Sequence, residues 1–210
     1  MGAKSWMIAY SEAAPREVLT GGPSLDEAAT DALVSELFRG ATRIGDADLF
    51  SINPPNGEIV AGVFPGVSVL AASDFGIDYP SKLHPRFVQR GSHGMIHLHA
   101  QHSVVDWFAF GVWRSGELIR SLSVSPDFGV MEDLGERMPF EVPFWDGAHP
   151  AVDEEEEEEY GLPFHPLELS EVALPELFGF VLEGMPLEDS IEPDEVSLLR
   201  YAKRPWWKFW

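Results

Sequence analysis

The sequence predicts an α+β fold: a mainly antiparallel sheet of about six or seven strands, with one N-terminal and one C-terminal helix. Three observations carry this expectation. Alternating and aromatic segments run through the middle of the chain, from Gly94 to Val124. One amphipathic stretch precedes that block and another follows it. The 210 residues are 45% apolar and 23% charged, ordinary proportions for a chain that buries a core.

Ser5–Tyr10 reads as a strand. Trp6, Ile8 and Tyr10 alternate with Met7 and Ala9, and both sets are apolar, so both faces are expected to be buried and the strand central. Ser24–Phe38 reads as the clearest helix. Ser24 and Glu27 have capping-box spacing, Leu25, Ala29, Leu33 and Leu37 form a stripe, and Gly40 is placed to end it. Thr42–Ile44 is a short strand. Asn53–Gly57 is a turn, followed by strands Glu58–Phe64 and Val67–Ala72 joined at Pro65-Gly66. Ser81–Gln89 is a weaker helix interrupted by Pro85.

Gly94–His102 places Ile96, Leu98 and Ala100 on one face and His97, His99 and Gln101 on the other. Val105–Trp113 is an aromatic strand, Arg114-Ser115-Gly116 a three-residue hairpin loop, and Leu118–Val124 the returning strand. Ser125–Pro150, rich in Pro, Gly and aromatics, reads as a long packed excursion. The like-charged run Asp153–Glu159 reads as a flexible spacer. A second helix is expected to begin at Pro175, with Leu174, Leu177, Phe178, Val181 and Leu182 as its stripe and Gly184 at its end. Residues 1–184 are thus expected to form one domain, and 185–210 a linker with an aromatic-basic tail.

Thirty-five acidic residues against 14 basic ones leave a formal charge of −21. Such a field repels phosphate backbones, so nucleic acid is a poor partner, and it favours basic ones. The sequence has no cysteine, which excludes disulfides and thiolate chemistry and fits a cytoplasmic location. No apolar run approaches the ~18 residues of a membrane span. Lys4 is followed by no apolar signal-peptide core, and Trp6 stands where a myristoylation signal needs Ser or Thr.

The candidate chemistry lies at His97, His99, His102 and Asp106, with His93 nearby. Residues two apart on a strand share a face, so His97 and His99 with a carboxylate could hold a divalent metal. The common reading of such a pattern is a polar sheet face, and no zinc signature is present. His102 and Asp106 could instead be an acid/base pair, but the nucleophile elbow of hydrolases is missing around Ser103. Gly62–Gly66 lacks the ending of a phosphate loop, and the acidic run lacks calcium-loop spacing. No motif implies a cofactor. In the tail, Trp206, Trp207, Phe209 and Trp210 interleave with Lys203, Arg204 and Lys208. That mixture suits docking on another protein, packing on its own domain, or a membrane interface.

The segments His97–Trp113, Arg120–Asp127 and Pro139-Phe140-Glu141 resemble an uncharacterised family of actinobacterial proteins. So do Met1–Trp6, Phe64–Val67 and Leu162–Leu169. The resemblance spans most of Met1–Gly184 and implies one fold there. It brings no activity, cofactor or catalytic residue. The sequence therefore favours a non-enzymatic cytoplasmic interaction or regulatory module, with another protein met through the tail or the acidic surface. The alternative is a metal- or histidine-dependent enzyme built on His97, His99, His102 and Asp106, so whether the chain is an enzyme stays open.

Overall fold

A computed structural model describes residues 4–151, 161–182 and 190–203. The alternating segments form strands β1 (Lys4–Ser11), β2 (Ala41–Ala47), β3 (Glu58–Phe64), β4 (Val67–Ala71), β5 (Met95–His102), β6 (Trp107–Arg114), β7 (Glu117–Ser125), β8 (Gly129–Gly135) and β9 (Leu198–Lys203). They make one nine-stranded sheet in the order β2-β9-β3-β4-β1-β5-β6-β7-β8. Every neighbouring pair is antiparallel.

Both faces of this sheet are covered, which is why its strands are apolar on both sides. β1 lies in the middle: Met7 and Ala9 enter the core on one face, Ile8 and Tyr10 the core on the other. Helices α1 (Pro15–Leu19), α4 (Val142–Trp145) and α5 (Pro166–Phe178) cover the first face, and α2 (Glu27–Leu37) and α3 (Pro85–Arg90) the second. α2 is clipped to the end of β3. Asp26 N–H donates to Val63 O at 2.8 Å, and Val63 N–H donates to Thr30 Oγ1 at 2.9 Å.

The expected strand count falls short by two or three. β8 is an edge strand, GVMEDLG, whose alternation is broken by a bulge opposite Ser123 and Val124. β9 is six residues long and follows polar sequence, yet it inserts between β2 and β3. The 185–210 segment therefore contributes a strand to the sheet; residues 204–210 lie outside the described residues, as do Asp153–Glu159.

Other boundaries shift for local reasons. α2 is capped by Asp26, whose carboxylate accepts from Ala29 N–H at 2.9 Å, and not by Ser24, because the chain is still extended at Asp26. Pro85 opens α3 where an interruption was expected. The β6–β7 loop has two residues, not three. Arg114 pairs directly with Glu117, and Ser115 and Gly116 both take positive φ (51° and 82°), the geometry of a tight hairpin turn. α5 starts at Pro166 and carries Pro175 inside. It ends at Gly179 (φ 87°), whose N–H reaches Pro175 O at 2.9 Å, whereas Gly184 lies outside the described residues.

The 125–150 excursion is fastened to the sheet by buried charge. Arg120 on β7 is fully buried. Its Nε donates to Glu141 Oε1 at 2.9 Å and its Nη2 to Glu141 Oε2 at 2.5 Å, a bidentate pair; Nη1 also reaches Asp133. Glu132 accepts from Ser81 N–H, Ser81 Oγ and Ser121 Oγ, tying the 80–82 turn to the same strands.

Two outcomes follow for the fold. A chain ending at Val196 loses β9, which is the sole neighbour of β2 and the outer partner of β3. Its thermal unfolding by circular dichroism is expected to lose cooperativity, while a chain ending at Arg204 keeps it. Arg120→Met strands buried Glu141 and is expected to cost about 3–5 kcal/mol in urea unfolding; a loss below about 1 kcal/mol would show that the pair is dispensable.

Candidate functional site

Strand parity divides the histidines. His97 and His99 point to the face covered by α5, where both rings meet the Phe178 edge with centroids 6.2 Å away. His102 is an odd number of residues from both and points to the other face, 5.9 Å from the Trp6 ring. Asp106 sits in the β5–β6 turn at φ 46°, its Oδ2 3.8 Å from His165 Nε2. The four residues read from the sequence as metal ligands are therefore not brought together. Among the described residues no group of three or more His, Asp or Glu side chains is placed to hold a metal. His93 lines a separate groove with Arg90 and Glu12.

His99 is fully buried in a polar chain. Ser5 Oγ lies 2.7 Å from its Nδ1, and Ser170 O and Oγ lie 3.3 and 3.2 Å from its Nε2. Ser170 Oγ in turn donates to Gln101 Oε1. The ring is satisfied if Nε2 carries the proton toward the Ser170 carbonyl and Nδ1 accepts from Ser5. Hydroxyl beside imidazole can activate a nucleophile. Here Ser5, His99 and Ser170 are all sealed from solvent, so no substrate reaches them and the chain acts as a strut between β1, β5 and α5. His97 is buried as well, and its Nδ1 has no hydrogen-bond partner. Burial lowers the pKa of both imidazoles from 6.5 to about 4; at His99 the Ser170 carbonyl works in the opposite direction.

The accessible chemistry lies at the end of the sheet where the β5–β6 and β7–β8 hairpins turn. Lys4, at the start of β1, pairs with His102 there, so Trp6 lies beneath the same rim. A cleft of about 480 Å³ opens between the hairpins and the 76–79 segment. Trp6 and Trp107 line it with ring centroids 6.0 Å apart. Trp107 is held by its Nε1–H, which donates to Ser123 Oγ at 3.1 Å. A Cβ on Gly76 would come within 2.7 Å of the Trp6 ring, so only glycine lets the backbone lie against that indole. Tyr79 (48% exposed) and Phe128 (76% exposed) add aromatic surface, and Asp78 and Asp127 supply carboxylates. Among the described residues no Lys or Arg lines the cleft, and His102 is its one imidazole.

Of the described residues singled out for chemistry from the sequence, only His102 lines this cleft. Trp206, Trp207, Phe209 and Trp210 lie outside the described residues. Tyr79, Phe128, Asp78 and Asp127 come from two loops far apart in the chain, and no spacing rule joins them. The aromatic richness of β6 was the one signal pointing there.

A family model described as a family of unknown function, DUF6928, matches residues 5–201. No curated protein and no solved structure matches the chain.

The buried histidines give a pH dependence of stability. Between their folded value near 4 and their unfolded value of 6.5, the unfolded chain binds more protons. Their contribution is complete above pH 6.5 and is lost as pH falls toward 4. Urea unfolding is expected to lose roughly 2–3 kcal/mol per histidine between pH 6.5 and 4.5. His97→Leu, which also removes the unpartnered nitrogen, is expected to keep stability at pH 7 and flatten that slope. An unchanged slope would mean that His97 does not stay neutral in the folded chain.

Proposed function

We propose, for a chain that belongs to the DUF6928 family of unknown function, that it is a non-enzymatic interaction module that captures a partner protein in the aromatic cleft. The observation that carries this reading is the exposed apolar rim. Phe128, Tyr79 and Val105 surround an open cavity walled by two tryptophans, whereas the apolar residues of the core beneath are buried. Exposed aromatic surface around a concavity marks a binding site, and its volume falls in the ordinary range for one. Tryptophan and tyrosine are also the residues that most often anchor interfaces. The sealed state of the Ser5–His99–Ser170 chain supports the non-enzymatic part of the reading. The cytoplasmic location read from the cysteine-free sequence belongs to the same proposal, as does the net charge of −21, which favours a basic partner.

A photo-crosslinking side chain at position 128 is expected to give a discrete adduct in native extract. The same probe at Ile44, exposed on the opposite edge strand, is expected not to give it. Phe128→Ala with Tyr79→Ala is expected to weaken binding of the partner so identified by about 2–4 kcal/mol while leaving the melting temperature unchanged. Identical adducts from both positions would remove the cleft as the docking site.

A further inference from the structure

We infer that the cleft recognises an arginine side chain presented by the partner. This deepens the docking reading and rests on it. The first ground is the pairing of rings with carboxylates. Trp6 and Trp107 stand with centroids 6.0 Å apart and planes tilted by 39°, and Tyr79 and Phe128 flank them. Indole faces attract cations more strongly than other side-chain rings do, and guanidinium is the cation most often found over them.

The second ground is unbalanced charge. Asp78 and Asp127 both line the cleft, and among the described residues neither has an ion-pair or side-chain hydrogen-bond partner. Elsewhere the protein's own arginines already meet both kinds of group. Arg86 lies 4.4 Å from the Phe87 ring centroid and pairs with Asp74, and Arg120 lies 5.9 Å from the Phe110 centroid and pairs with Glu141. In the cleft the same combination of ring and carboxylate stands without a Lys or Arg among the described residues. A planar guanidinium stacks on an indole while its five N–H donors reach carboxylates at its rim, which a lysine ammonium does not do.

The third ground is the lack of competition. Among the described residues His102 is the only basic side chain in the lining. Its Nδ1 accepts from Val104 N–H at 3.3 Å. Among the described residues no Lys or Arg stands in the lining to repel a fixed positive charge.

The test is a titration of the full chain with short Gly/Ser peptides carrying one central arginine, citrulline or lysine, followed by the indole N–H resonances of Trp6 and Trp107. Both resonances are expected to shift with the arginine peptide. Citrulline, which keeps the shape and loses the charge, is expected to bind at least about tenfold more weakly. Asp78→Asn with Asp127→Asn, both at exposed positions, is expected to lower the affinity for the arginine peptide by a similar factor. Equal binding of arginine and citrulline peptides overturns the cation inference and leaves the docking reading to the crosslinking experiment. Equal binding of the lysine peptide overturns the choice of arginine. Absence of any shift at either indole, or indifference to the double substitution, overturns the inference outright.

Discussion

Covering a sheet on both faces removes water from the strands in its middle, and a polar atom there either finds a partner inside the protein or, like His97 Nδ1, stays unpaired at a cost. That constraint organises this molecule. His99 is satisfied by Ser5 from β1 and Ser170 from α5, Arg120 by Glu141 and Asp133, and Glu132 by Ser81 and Ser121. Each cluster joins elements that are distant in sequence. The partners lie 94 residues apart for Ser5 and His99, and 71 for His99 and Ser170. Hydrophobic contact brings helices onto a sheet without fixing their register closely, whereas a hydrogen bond to a buried group tolerates little displacement. The polar clusters thus select one arrangement of helices on an otherwise apolar surface.

The same constraint decides where binding can occur. Covered faces offer no access to the sheet itself, so its strands can be reached only at the edges and ends. The edges are β2 and β8. The end carrying the β5–β6 and β7–β8 hairpins differs from both, because Trp6 near the start of β1 and Trp107 at the start of β6 meet Tyr79 and Phe128 from the neighbouring loops there. Trp6 and Trp107 fill the space under the rim, and Phe128 and Tyr79 remain above it. The cleft is what remains where the two covering layers stop.

Much of the fold was legible in the sequence. β1 reads as central because apolar residues occupy both of its faces, and its neighbours on the two sides confirm that position. β3 to β7 carry period-two patterns or turn residues that fix them locally. β8 and β9 do not. β8 is an acidic edge strand with a bulge, and β9 becomes a strand because the gap between β2 and β3 accepts it. α5 was read too late in the chain because Pro175 suggests a start, although flanking apolar residues carry the helix through it. Parity on β5 was legible and was enough to set His102 apart from His97 and His99. What parity could not reveal is that the two inward histidines lie beneath a helix whose place depends on the whole sheet.

The resemblance between separate stretches gains a physical meaning in the fold. Arg120 belongs to one such stretch and Glu141 to another, and they form the bidentate buried pair that holds the 125–150 excursion against β7. Leu162–Leu169 supplies the start of α5, whose Ser170 then satisfies His99. These residues answer the demands of a doubly covered sheet, which makes them signatures of the fold and silent about its use. The features that speak to use are Asp78, Tyr79, Asp127 and Phe128. They are exposed, and among the described residues their carboxylates have no ion-pair or side-chain hydrogen-bond partner. Side chains under no obligation to the core are the ones free to serve a partner, and the cleft is where this chain gathers them.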